Sequence, residues 1–215
     1  MSRRFLSTCF FLVMALPALA AEPVIDNDRV TVWDLKLKAD ESAPPTPADY
    51  DSVTVFLEGG DIRTRHNDGT VSSAKHAFGD AVFTAKGLGT IDTPVSGPAH
   101  EVVIWLKGPA LGSQEGPAGI PDAFPRPGSQ IMFENDRVRV SRFSWTPGVP
   151  VAMHHHDKDT VMAFRYDGAI RSTGLDGKSE ILDFRKNQIQ FSKAGRVHSE
   201  LLAGPRQTAV MTELK

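Results

Sequence analysis

Residues 135–171, NDRVRVSRFSWTPGVPVAMHHHDKDTVMAFRYDGAIR, repeat residues 27–63, NDRVTVWDLKLKADESAPPTPADYDSVTVFLEGGDIR, at an offset of 108 and without a gap. Asn27, Asp28, Arg29 and Val30 fall on Asn135, Asp136, Arg137 and Val138. Asp51 falls on Asp159, Gly60 on Gly168 and Arg63 on Arg171. Further on, Asp68-Gly69 meets Asp176-Gly177, and the closing runs VVIWLK (Val102–Lys107) and VMTELK (Val210–Lys215) return to the same offset. Between them the register is expected to slip by one residue and recover. Self-similarity on this scale marks a duplicated domain, and it takes precedence over any local reading.

Each copy reads as short strands punctuated by turns. RVTVWDLKL and RVRVSRFSW alternate in the manner of half-buried strands. SVTVFLEGGDIRT and TVMAFRYDGAIRST each give a strand, a glycine turn and a strand, and both Asp-Gly pairs are hairpin signals. No amphipathic helix of normal length is visible after the leader. Many short strands in about 80 residues predict a small antiparallel barrel or jelly roll. The division expected is 1–20 leader, 21–107 first barrel, 108–128 linker and 129–215 second barrel. The linker, GPALGSQEGPAGIPDAFPRPG, is dense in glycine and proline and has no sustained period.

The leader has Arg3 and Arg4, an apolar run from Phe10 to Leu16, and small residues at Ala18 and Ala20. That run is too short to span a bilayer, so cleavage after Ala20 and a periplasmic or secreted protein are expected. The lone Cys9 leaves with it, so the mature chain has no thiol chemistry. Loss of Arg3 and Arg4 leaves 22 basic against 26 acidic residues, a balance that does not point to a nucleic-acid partner. No later segment is apolar enough for membrane insertion.

The histidines make the second copy specific. His154 and His156 stand two residues apart, so on a strand they share a face while His155 points to the other. Gly148 precedes His154 by six residues, Gly168 follows His156 by twelve, and Gly195 lies three before His198. The pattern is G-x5-H-x-H-x11-G followed by G-x-x-H.

This pattern resembles the cupin family, and the duplication resembles a bicupin. The motif spans Gly148 to His198, and the repeat extends the likeness over nearly all of the mature chain. The resemblance implies two tandem jelly-roll β-barrels, an all-β fold, and one divalent metal held in the second barrel by His154, His156 and His198. The metal would be Fe, Mn, Zn, Ni or Cu. The sequence departs from the family where a glutamate is the usual fourth ligand, since residues 157–161 are DKDTV. Lys193 also stands where a proline is usual. Asp159 is the candidate replacement, with Glu200 a second on strand parity with His198. Asp159 also matches Asp51 of the copy without ligands, which favours a turn-capping role in both. Neutral imidazoles suit these metals and leave positions open for water or substrate.

The first copy lacks such a set: His154 falls on Thr46, His156 on Ala48, and His198 on Ile91 or Asp92, depending on the slip. Its barrel is expected to be metal-free. Three functions fit: a metal-dependent enzyme of dioxygenase or isomerase type on a small oxygen-rich substrate, a non-enzymatic metal or ligand binder, or a structural module. The partner expected is a small-molecule ligand, with a homodimer left open.

Overall fold

The computed structural model describes residues 22–215, so the leader and its cleavage site lie outside the described residues. The first unit contains β1 (Ile25–Asp26), β2 (Val30–Leu37), β3 (Asp51–Glu58), β4 (Asp61–His66), β5 (Val71–Lys75), β6 (Ala81–Thr84), β7 (Thr90–Pro94) and β8 (Ala99–Leu106). The second contains β9 (Ser129–Glu134), β10 (Val138–Trp145), β11 (Val151–His155), β12 (Asp159–Phe164), β13 (Gly168–Gly174), β14 (Ser179–Phe184), β15 (Ile189–Ser192), β16 (Val197–Leu202) and β17 (Gln207–Leu214). Among the described residues there is no helix.

Each unit is a pair of antiparallel sheets. The first has orders β1-β2-β8-β3-β6 and β5-β4-β7, the second β15-β12-β17-β10-β9 and β11-β16-β13-β14. The pairings that both units share repeat at an offset of 108. Val53 opposite Phe83 becomes Val161 opposite Phe191, and Ile62 opposite Pro94 becomes Ile170 opposite Leu202. The expected one-residue slip is therefore absent. Gly174 pairs with His198 as His66 pairs with Thr90, so the counterpart of His198 is Thr90 and that of Glu200 is Asp92.

The units differ at β11. Its counterpart in the first copy, SAPPTPADY, forms no strand. Pro44, Pro45 and Pro47 have no N–H to give a ladder. Isolated bonds survive among the described residues, from Ala43 N to Asp92 O, from Thr46 N to Thr90 O and from Gly87 N to Ala48 O, each 2.8 Å.

The strands expected to be half-buried are buried on both faces. One face of β2, β3 and β8 meets the same face of β10, β12 and β17 in a shared core that includes Val30, Val32, Ile104, Val138, Val140 and Val210. The opposite faces line the two barrels, with Leu35, Leu37 and Val103 in the first and Phe143, Trp145 and Met211 in the second. Face-to-face packing removes the solvated side that the alternation implied.

Candidate metal centre

β11 and β16 lie side by side in the second barrel, with His154 directly opposite His198. His156 follows the end of β11 and is fixed through its backbone. Its N–H donates to Arg196 O, and its carbonyl accepts from Gly195 N, both at 2.8 Å. Gly195 has φ +94°, a conformation that glycine adopts without steric cost. The strand and the turn thus bring the three imidazoles together, and their ligand atoms all lie within 4.8 Å of one another.

The rings are oriented from behind. His154 Nδ1 meets Ala152 O at 2.8 Å, and His198 Nδ1 meets Ser172 Oγ at 2.9 Å. Arg196 donates to the same Ser172 oxygen at 3.2 Å. With both Nδ1 atoms engaged, Nε2 faces the centre. His154 Nε2 is buried with no hydrogen-bond partner among the described residues, and the Nε2 atoms of His156 and His198 are 3.1 Å apart. A cation is what satisfies such a set, because buried nitrogen lone pairs without a donor are costly. The residues present therefore fit a metal.

Electrostatics agree. Burial, then the charge of Arg196, pushes His198 down to about 2. Burial, then His154, pushes His156 down to about 3. Burial also lowers His154. All three are neutral at physiological pH, the form that binds metals.

Asp159 is not part of this set. Its Oδ2 pairs with Arg29 at 3.0 Å and its Oδ1 accepts from Ala194 N at 2.8 Å. The equivalent Asp51 accepts from Lys86 N and pairs with Arg137. Both of its oxygens are engaged by a turn and an arginine, as those of Asp51 are, so the capping role holds in both copies. The carboxylate beside the histidines is Glu200, with Oε1 3.7 Å from His198 Nε2. Its Oε2 accepts from Trp145 Nε1 at 3.0 Å and from Arg126 at 3.4 Å.

His155 does point to the opposite face, but it is 1% exposed rather than solvated. The linker covers it: Ala123 N donates to His155 O, and His155 N donates to Pro121 O. The same linker carries Arg126, whose guanidinium lies 3.8 Å from the centroid of Phe143. Arg126, Ser172 and Trp145 are the neighbours that sequence reasoning missed. Arg126 sits in a segment without periodicity, and the other two meet the site only through cross-strand register. A cavity of about 430 Å³ runs beside His154 and Arg126, walled by Phe143, Val149, Val151 and linker prolines. That volume lies in the range of small-molecule sites.

No protein-family model matches the sequence, and no curated protein does. Solved structures do. Oxalate decarboxylase from Bacillus subtilis aligns with TM-score 0.62 and 11% identity over 87% of this chain and 69% of that one. A cupin 2 conserved barrel domain protein from Leptotrichia buccalis aligns with TM-score 0.55 and 12% identity over 91% and 88%. The chain has the cupin fold, in duplicate. At these identities the likeness is one of fold, and the three-histidine group of the second cupin barrel can hold a metal on the geometry above.

Proposed function

We propose that this bicupin-like chain is an exported protein, periplasmic or secreted. It binds one divalent transition metal through His154, His156 and His198 and takes a small oxygen-rich molecule in the adjoining cavity. The observation that carries this is the unpartnered His154 Nε2, turned toward the two facing nitrogens of His156 and His198. The leader at residues 1–20 supports export. Manganese is one candidate among Fe, Mn, Zn, Ni and Cu, since the Bacillus subtilis oxalate decarboxylase has Mn(II) centres.

A bound metal would supply Lewis acidity and open positions for a chelating molecule. The chain supplies the rest. Ala152 O and Ser172 hold the rings in orientation, Arg126 offers positive charge at the cavity wall, and Phe143 and Val151 exclude water. Glu200 is the carboxylate beside the histidines, and Asp122 is the one that lines the cavity. The second oxygen of Glu200 is held by Trp145 and Arg126, which favours a second reading: a binder that retains metal or ligand without turnover.

Elemental analysis of the purified protein is expected to find one equivalent of metal after loading, and none in His154→Ala or His198→Ala. Ser172→Ala, which removes only an orienting partner, is expected to weaken binding about 10–100-fold. A wild type without stoichiometric metal after loading with each candidate sinks the reading. Turnover of small carboxylates and diketones by the loaded protein separates the enzyme from the binder.

A further inference from the structure

The first barrel, without histidine ligands, has a different interior. A cavity of about 60 Å³ lies among Trp33, Thr46, Asp92, Glu101, Val103 and Trp105. It occupies the place of the other barrel's metal site, because Thr46 is the counterpart of His154 and Asp92 that of Glu200. Glu101 is 0% exposed, and neither of its oxygens has a partner among the described residues. Its counterpart in the second barrel is Ala209, so this carboxyl belongs to the first barrel alone. The indole N–H groups of Trp33 and Trp105 are likewise buried and unpartnered. Asp92 accepts from Thr64 Oγ1 through one oxygen at 2.6 Å.

Two carboxyl groups face this space, and none of the residues lining it is basic. Burial, then the charge of Asp92, pushes Glu101 up to about 8. In the empty site the proton keeps Glu101 neutral; ionised, it would need an opposite charge beside it, and an entering cation supplies that charge as the proton leaves to solvent. The walls say which kind. The two indole rings stand 5.1 Å apart at 48°, with Tyr50 stacked on Trp105, and aromatic faces attract organic ammonium ions. The cavity has room for about two water molecules, which fits only a small ammonium ion of the size of methylammonium. The indole N–H groups are left to an accompanying water or to an oxygen on the ligand.

We propose that the first barrel is a binding site for a small organic ammonium ion, held by Glu101 and Asp92 beside the indole rings of Trp33 and Trp105. The site is independent of the metal reading, since it shares no residue with the histidine centre.

The test is a calorimetric titration of the purified full chain with methylammonium, the larger trimethylammonium, methanol as a neutral analogue of similar size to methylammonium, and potassium. Tryptophan emission, which comes from Trp33, Trp105 and Trp145 of the second barrel, is followed in parallel in the wild type and in Trp145→Phe. Saturable binding of methylammonium that shifts this emission is expected, with the alcohol and potassium at least about tenfold weaker. Glu101→Gln and Trp105→Leu, each checked for fold by circular dichroism, are expected to lose at least about tenfold in affinity. Binding of the alcohol as tight as that of the ammonium overturns the proposal, as does preference for potassium or no saturation by any ammonium probe. The wild-type series decides the matter even if a variant fails to fold.

Discussion

Glu101 sets the sharpest expectation for a single residue. The folded chain holds its proton up to about pH 8, against an ordinary value of 4.5. Below 4.5 both folded and unfolded states carry the proton and the group makes no difference. Between the two values folding takes up a proton, so stability falls as pH rises and the loss is complete above the folded value. The groups around it are Asp92 and, acting on Asp92, His76 and His66. Glu213, raised by burial to about 7 in the other barrel, acts in the same direction. Below about pH 6.5 the depressed histidines of the second barrel act in the opposite direction, because the unfolded chain protonates them and the folded chain does not. Glu101→Gln is therefore expected to flatten most of the fall in melting temperature between about pH 7 and pH 9, leaving the share due to Glu213. An unchanged pH profile would show that Glu101 is solvated. The sequence does carry a trace of this residue, a lone carboxylate inside the apolar run AHEVVIWL. Period alone could not place it, because β8 is buried on both faces and alternation then carries no information.

Among elements, β11 and the linker separate what was legible from what was not. The parity of His154 and His156 could be read directly, because a two-residue spacing on a strand has one geometric meaning. The burial of His155 could not, because it depends on a segment with no periodicity laid across it. Gly116 shows how close that segment comes: a Cβ there would stand 2.5 Å from His155 Nδ1 and 3.1 Å from its Cβ. Gly116→Ala is expected to lift the linker and cost about 1–3 kcal/mol, read as a lowered denaturation midpoint. Because Arg126 rides on the same segment, the variant should also weaken metal or ligand retention while leaving the three histidines intact. A variant as stable as the parent would show that the linker accommodates the methyl group freely. The slip expected between the copies was an error of the same origin. Sequence identity fades between residues 70 and 100, and only the hydrogen-bond ladders show that the register never breaks.

At the scale of the whole molecule, the repeat announced the architecture, but not how the halves join. The valine-rich faces looked solvated by their alternation, yet they form one core to which both units contribute. Halves that share a core cannot unfold separately without exposing it. Calorimetry is expected to show a single cooperative transition, and two resolved transitions would contradict the shared core. Across the seam run two crossed ion pairs, Arg29 with Asp159 and Arg137 with Asp51, each at 3.0 Å. Arg29 and Arg137 are equivalent positions, as are Asp51 and Asp159, so each half lends an arginine to the other and receives an aspartate in return. A two-fold symmetric dimer of a single half would make both contacts from one arginine and one aspartate, as any isologous interface does. The chain thus keeps the handshake of a homodimer inside one polypeptide. Covalent joining frees it from the constraint that a dimer imposes, that both halves be the same: one barrel can keep three histidines while the other fills the same place with tryptophan and carboxyl groups.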